Sequence, residues 1–392
     1  MGAPAKVESP TSEELTARAS GMIPRLLERA PLAEELRRVP PETVAEIKAA
    51  HLARTLRPAH YGGYQKDYRT FAQIVRELGR GCASTAWCTS SWMSQAFTLD
   101  RYPQAAQDEI CGGDPDVHIG STGVPSGRAE PVAGGWLVNG RWSFASGIYG
   151  AEWMSAAAVT PENAVRGVML PVPELDILDV WHVVGLRGTG STDYIAKDVF
   201  VPERRSIEGA LWVWKKAPEP FVTGPLRNHG AGATQVSTSI FAPAAIGNAI
   251  GFLDAFVAGA SSRTITHART KQSDHVGTQQ RLAESAVEID LAWMLLERCY
   301  DALDEYEESG LIPTERRSRM RRDTSYAVNM CYRAINRVFE VSGAHALHSS
   351  GELQRRWRDA HAIASQPNFH WDFEAETWGR LRLGLEHHHP SL

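Results

Sequence analysis

The chain reads as an α+β protein in which helices and strands are segregated along the sequence: a helical stretch, a strand-rich stretch, then a second helical stretch. Three observations carry that reading. Up to about Ile110, helix-start signals precede apolar residues at helical spacing. From Val117 to about Arg205, short apolar runs are bounded by Gly, Pro and Asn. Beyond that, apolar side chains return in two long seams with steps of three and four. The divisions fall at residues 1–112, 113–210 and 211–392, as suits a 392-residue chain too long for one compact core.

Each element has a local reason. Thr11-Ser12-Glu13-Glu14 fits a capping box, in which a hydroxyl and a carboxylate satisfy free backbone donors at a helix start. Pro40-Pro41-Glu42-Thr43 opens a second helix, proline being tolerated in a first turn. Tyr61-Gly62-Gly63 interrupts the pattern before a helix from about Tyr68 that carries Phe71, Ile74, Val75 and Leu78, and Gly112-Gly113-Asp114-Pro115 ends the helical region. Strands are expected around Trp136–Val138, Trp153–Ala157 and Val168–Leu170, closing at Phe200-Val201-Pro202. Asn139-Gly140 predicts a tight hairpin turn, because both turn residues must tolerate positive φ. The last region holds one seam of Leu282, Ala286, Ile289, Trp293, Leu296, Tyr300 and Leu303. A second runs through Thr324, Ala327, Cys331, Ala334, Val338 and Val341, with Gly343 placed to cap it and 310–313 joining the two.

Composition narrows the function classes. With 43% apolar and 22% charged residues the chain is ordinary for a globular protein, and a net charge of -5 argues against a nucleic-acid partner. No run is expected to approach the length of a membrane span, and Met1–Lys6 lacks the apolar core of a signal peptide, so a cytoplasmic protein is expected. Cys82, Cys88, Cys111, Cys299 and Cys331 are scattered without CxxC spacing, so neither a disulfide framework nor a metal site is indicated. The three tail histidines, His387–His389, are given no metal role.

Two segments carry the chemistry. The aromatic strand Arg141–Ala145 runs into Ser146-Gly147, where backbone can approach a flat ligand closely. Val184–Ser191, with Gly188-Thr189-Gly190-Ser191 at its end, offers backbone and hydroxyl donors to an anion or a heterocycle edge. Lying in this order between two helical regions, they resemble the flavin-binding middle domain of the acyl-CoA dehydrogenase fold. The resemblance covers nearly the whole chain. It implies an N-terminal helical domain, a central β-barrel or sandwich, and a C-terminal four-helix bundle with an oligomer interface.

Within that fold the dehydrogenases place a catalytic carboxylate in a Tyr-Glu-Gly-Thr motif, which this chain lacks. Gly343–Leu347 stands there, followed by Glu352-Leu353-Gln354-Arg355-Arg356-Trp357-Arg358-Asp359. That run is similar to the Leu-Gln-Arg-x-x-Arg-Asp segment of the oxygenase components of two-component flavin monooxygenases, and Pro58–Gly63 and Gly81–Trp87 match the same group. The resemblance implies a diffusible reduced FMN or FAD supplied by a separate NAD(P)H:flavin reductase, with O2 as co-substrate. It also implies a C4a-hydroperoxide held until a small aromatic metabolite is hydroxylated or N-oxygenated, and a homotetramer built as a dimer of dimers. By position, Ser146 matches the family serine that reaches flavin N5, and Ser121 a second flavin-contacting serine. Gly147, Thr189 and Ser191 would line the flavin, and Arg269 matches a basic position used for its phosphate.

The pattern breaks at the base. Phenol hydroxylases of the family carry a histidine eight positions after the arginine of the Arg-Asp pair, and here that position is Gln366. A second family histidine precedes the segment matched by Tyr102–Gln107, and its counterpart is Gln95. Glutamine both donates and accepts but takes no proton near neutral pH. Either the substrate needs no base, with Gln95 and Gln366 orienting it, or a neighbouring histidine substitutes, His370 and His361 being the candidates. Trp142 is expected to face the substrate, Trp212 and Trp214 with Lys215 and Lys216 to form an entrance loop, and Asn228–Gly232 a pocket lip. Two other readings stay open: a flavin dehydrogenase or oxidase using Asp359 or Asp372, and a flavin-binding protein without catalysis.

Overall fold

A computed structural model of the protein describes residues 9–209, 239–265, 269–306, 312–389 and 392. The first helices are α1 (Ser12–Leu36), α2 (Pro41–Ala49), α3 (Tyr68–Gly81), α4 (Ala83–Leu99) and α5 (Gln104–Cys111). The α1 capping box forms as its residues dictate: Thr11 Oγ1 accepts from the Glu14 N–H while Glu14 accepts from the Thr11 N–H. Helix α2 starts at Pro41, and Asp67 caps α3 by accepting from the Thr70 N–H.

The strands are β1 (Ile119–Ser121), β2 (Gly127–Val132), β3 (Gly135–Ala145), β4 (Trp153–Val159), β5 (Val165–Pro171), β6 (Asp176–Ile177), β7 (Thr192–Pro202) and β8 (Ser206–Glu208). They make one sheet in the order β6-β7-β3-β2-β4-β5-β8, with β1 added in parallel on β4. The long antiparallel pair β3–β7 positions the site, because Ala145 at the end of β3 pairs with Thr192 at the start of β7. The turns beyond those two residues therefore lie side by side.

Asn139-Gly140 is not a hairpin turn. It lies inside β3, paired with both neighbouring strands, at a bulge between Val138 and Gly140. Glycine is required there by close approach: a Cβ would sit 2.5 Å from Gly127 Cα and 3.0 Å from the Trp142 ring. Asn139 pairs with the residue opposite the bulge, its amide donating to Asp198 and its carbonyl accepting the Asp198 N–H. The β2–β3 turn itself falls at 133–134, where Gly134 has φ of +82°.

The later helices are α6 (Ala242–Ala260), α7 (Val276–Tyr306), α8 (Thr314–Phe339), α9 (Glu352–Ala364) and α10 (Trp371–Arg382), with a short hairpin, β9 (Thr264–Ile265) and β10 (Thr270–Lys271), between α6 and α7. The α7 seam holds at Ile289, Leu296, Tyr300 and Leu303, whereas Ala286 faces outward and Ser285, Ala292 and Cys299 complete the buried face. The α8 seam is buried from Thr324 to Val338. Gly343 does not cap α8, which ends at Phe339 with Glu340 as its cap; Gly343 begins the next 3-10 turn at φ of +74°. Helix α6 corrects the expectation that no run approaches a membrane span. By length and composition it would cross one, yet 67% of its 18-residue apolar window is buried within the protein, as befits a central core helix.

The first and last helical stretches share one apolar core, from Leu15 and Met22 to Ile335, Leu353 and Ile363, while the sheet keeps its own around Val138, Trp142, Val168 and Tyr194. Helix α4 runs between them with every residue buried. All five cysteines are buried and unpaired, and burial pushes the Cys299 thiol up to about 12.

Candidate functional site

Helix α4 is polar for a helix so deeply enclosed: Ser84, Thr85, Thr89, Ser90, Ser91, Ser94, Gln95 and Thr98 are all at most 4% exposed. Buried polar groups demand partners. One face of α4 finds them in the loops at the sheet's end. Trp87 Nε1 donates to Ser146 Oγ at 3.1 Å, Cys88 Sγ donates to the Thr189 carbonyl at 3.3 Å, and Trp92 Nε1 donates to the Gly147 carbonyl at 3.2 Å. One turn further, Gln95 Nε2 donates to Ser121 Oγ at 3.1 Å. Residues 88, 92 and 95 share a face by helical periodicity, so one helix indexes three separate loops.

Those loops also hold one another. The Gly147 N–H donates to the Thr189 carbonyl at 2.9 Å, tying the turn after β3 to the turn before β7. Ser146 Oγ lies 2.7 Å from Ser191 Oγ, which lies 2.7 Å from Thr189 Oγ1. Gly147 takes φ of +75°, and a Cβ there would press to 2.7 Å from the Trp92 indole nitrogen, so both conformation and space exclude a side chain. Trp92 is in turn backed by His118, whose ring stacks on it at 4.3 Å.

Two titratable groups support this frame. Asp359, fully enclosed on α9, accepts the Leu186 N–H at 2.6 Å and so anchors the left-handed residue that begins the Thr189 turn. Burial raises its carboxyl to about 6, with the Leu186 N–H, Arg358 and Arg355 pulling the other way. His118 donates from Nδ1 to the Gly150 carbonyl at 2.9 Å, and burial lowers its ring to about 3, holding it neutral. Its Nε2 is buried without a partner among the described residues.

Of the residues singled out from sequence, Ser146, Gly147, Thr189 and Ser191 are brought together, with Gln95 and Ser121 joined to them along α4. Trp142 belongs elsewhere. It is 0% exposed in the core of the sheet, stacked on Tyr194 at 5.3 Å with its N–H donating to the Ala157 carbonyl, so its side chain has no surface to offer a substrate. Gln366 starts the turn after α9, where its Oε1 accepts the Asn368 N–H at 2.7 Å. His370 is exposed at the start of α10, and His361 is held by its Nδ1 contact to the Trp357 carbonyl at 2.8 Å. Arg269 is exposed in the β9–β10 turn at φ of +52°. The expected entrance loop at Trp212–Lys216 and lip at Asn228–Gly232 lie outside the described residues. The sequence assigns no role to Trp92 or His118, and Trp87 enters there only as the end of the matched Gly81–Trp87 run. The signal available was the density of serine and threonine around two tryptophans in a segment with no polar face.

The donor set fits the edge of a flavin ring. That edge alternates donors and acceptors, and the loops present a half-buried Ser146 hydroxyl and a half-buried Ser121 hydroxyl. Beside the latter, Gln95 Oε1 is buried with no partner among the described residues, so a hydrogen-bond acceptor is held ready in an enclosed place. The alternative base positions are occupied otherwise: Asp359 is spent on the Leu186 amide, and Asp372 is exposed in the first turn of α10.

Comparison with known proteins identifies the family and the fold. Residues 13–110 match the family model described as acyl-CoA dehydrogenase, N-terminal domain, and residues 239–370 match acyl-CoA dehydrogenase, C-terminal domain. The flavin-dependent monooxygenase, oxygenase subunit HsaA, of Mycobacterium tuberculosis is 35% identical over 370 residues, spanning 91% of this chain and 92% of that one. The Rhodococcus jostii protein of the same name is 36% identical over 354 residues, 88% of this chain and 92% of that one. Among solved structures, XiaF from a Streptomyces species, in complex with FADH2 and glycerol, superposes with a TM-score of 0.90 at 28% identity, covering 97% of this chain and 98% of the other. The two HsaA relatives are oxygenase subunits and the XiaF structure holds FADH2, which favours the monooxygenase reading over the dehydrogenase one and makes reduced flavin the cofactor. The chain belongs to the flavin-dependent monooxygenase oxygenase subunits of the acyl-CoA dehydrogenase fold.

Proposed function

We propose that this oxygenase component hydroxylates or N-oxygenates a small aromatic metabolite at the loops gathered under α4, drawing diffusible reduced FMN or FAD from a separate NAD(P)H:flavin reductase. The observation that carries the reading is the juxtaposition of the Ser146–Ser191–Thr189 hydroxyls with the Gln95–Ser121 pair on one helix face. Bound reduced flavin supplies the electron pair that activates O2. The protein's part is to hold and to enclose. Ser146 addresses the N5 edge, Gly147 lets the backbone approach, and Trp87 and Trp92 back the turn and keep water from it. Arg269 is assigned to the flavin phosphate.

Gln95 and Gln366 stand where related phenol hydroxylases have histidines. Neither accepts a proton, so the proposed substrate reacts without a protein base at those positions, as an amine, an indole-like carbon or an already acidic phenol does. Gln95 Oε1 is then the acceptor for a substrate N–H or O–H. His370 or His361 serving as a base is the second form of this proposal, favoured by their position on the same segment as Gln366.

A homotetramer is proposed from the outer face of the bundle. Between α7, α8 and α10 runs an apolar groove that includes Leu291, Met294, Tyr326, Trp371 and Trp378, with Met294 60% exposed. Five buried, unpaired thiols support a cytoplasmic setting. The test is to supply a flavin reductase, NAD(P)H and labelled O2 with a panel of phenols, anilines and indoles. Incorporation of one labelled oxygen atom into product is expected; hydrogen peroxide alone across the panel would overturn the aromatic-substrate reading.

A further inference from the structure

The three hydroxyls beside Gly147 form a hydrogen-bonded wire with one end open. At the closed end, Thr189 Oγ1 donates to the Leu186 carbonyl at 2.9 Å, and that carbonyl independently accepts the Trp181 indole N–H at 3.1 Å. At the open end, Ser146 Oγ accepts the Trp87 indole N–H, a group that only donates, at 3.1 Å. The two links between them, Ser146–Ser191 and Ser191–Thr189, are each 2.7 Å and carry a proton from either side.

Two arrangements satisfy every member. In the first, Ser146 donates to Ser191, Ser191 to Thr189, and Thr189 to the Leu186 carbonyl, leaving Ser146 a lone pair with which to accept. In the second, Thr189 donates to Ser191 and Ser191 to Ser146, leaving the Ser146 proton free to donate. The Leu186 carbonyl loses one donor in the second arrangement but keeps Trp181. Passing between them rotates three hydroxyls about their C–O bonds, and no proton leaves its oxygen.

We propose that the Ser146–Ser191–Thr189 wire is a reversible polarity switch, by which Ser146 accepts from flavin N5 when it carries hydrogen and donates to N5 when it does not. This rests on the flavin reading above and makes Ser191 and Thr189 positioning residues that act through Ser146. Reduced flavin bears N5–H and calls for the accepting arrangement; oxidised flavin presents a bare N5 lone pair and calls for the donating one. A fixed donor at this point would oppose one state. The wire serves both because its far end has a second donor in reserve. Trp87 cannot reverse, and it is itself held by stacking on Phe241 at 3.8 Å, so the direction at Ser146 is set from the Thr189 side.

Truncating the wire should bias it. In Thr189→Val, a near-isosteric change, the Ser191 proton has no acceptor in the arrangement that reduced flavin needs, whereas the donating arrangement keeps every proton placed. In Ser191→Ala, Ser146 itself loses its onward acceptor in the reduced state, and the bias has the same sign. The experiment measures dissociation constants of the full-length protein for reduced flavin, anaerobically, and for oxidised flavin, using FMN and FAD. Both variants should weaken reduced-flavin binding relative to oxidised by about tenfold, equivalent to a bound-flavin potential about 30 mV more negative for a two-electron couple. Thr189→Ser, which restores the hydroxyl, should restore the ratio, and apo-protein melting should confirm that each variant is folded. Equal weakening of both states, or no change in either, would overturn the switch while leaving the flavin site intact. Failure of the wild-type protein to bind either flavin would overturn the switch and the flavin reading together.

Discussion

Replacing Asp359 with asparagine should remove a pH dependence of stability that this one carboxyl creates. Asp359 is enclosed on α9, and burial raises it from an ordinary 3.8 to about 6. Its proton is therefore held more tightly in the folded chain than in the unfolded one, and raising the pH draws that proton off at the expense of the fold. The contribution is fully present below about pH 4 and lost by the time the pH passes about 6. A rise of about two pKa units corresponds to about 3 kcal/mol over that window. Asparagine keeps an oxygen for the Leu186 N–H, now 2.6 Å away, but never ionises. Urea unfolding of both proteins at fixed concentration, from pH 4 to 7, isolates this group, since other titrating groups cancel in the difference. Asp359→Asn should gain about 2 kcal/mol on the parent as the pH rises from 4 to 6.5. A difference constant across that range would refute the reasoning and show that Asp359 ionises as freely as in the unfolded chain.

His118 should show the opposite sign: burial depresses it to about 3, so stability present above pH 6.5 is lost as acid forces the ring to charge. His118→Phe keeps a ring against Trp92 and should unfold less steeply below pH 6; an unchanged acid limb would contradict this. Gly147→Ala forces a Cβ to 2.7 Å from Trp92 at φ of +75° and should cost about 1–3 kcal/mol in thermal unfolding, whereas an unaltered melting temperature would show that the turn gives way easily. Ser146→Ala removes the hydroxyl addressed to N5 and should divert about tenfold or more of the turnover from product to hydrogen peroxide, read from the ratio of the two; unchanged coupling would remove Ser146 from the site.

Some of this was legible in the residues and some was not, for physical reasons. The α1 capping box is local chemistry, and it formed where Thr11 and Glu14 stand. The glycine-flanked loops at Ser146 and Thr189 announced themselves because close backbone approach needs glycine, although only the β3–β7 register brings them side by side. Asn139-Gly140 misled for the same reason. A bulge in a long strand and a tight turn ask for similar residues, and the choice is made by distant strands through the approach of Gly127 and the pairing with Asp198. Trp142 sits four residues before Ser146, but strand alternation and the bulges of β3 turn it into the sheet's core. Helix α4 gave no amphipathic signal because it has no exposed face: Thr89 and Ser94 bond back to its own carbonyls, while Gln95 and Ser90 reach Ser121 and Ile240, 26 and 150 residues away in sequence. The Asp359–Leu186 contact spans 173 residues and could not be read locally.

The most direct test of the account is to mix the protein and reduced flavin, prepared without oxygen, against oxygenated buffer in a stopped-flow instrument, with and without an aromatic substrate. The account predicts that the oxidised flavin spectrum returns more slowly than for free reduced flavin, and that substrate converts the delayed fraction into oxygenated product. Reoxidation at the rate of free flavin, with all oxygen recovered as hydrogen peroxide, would contradict it.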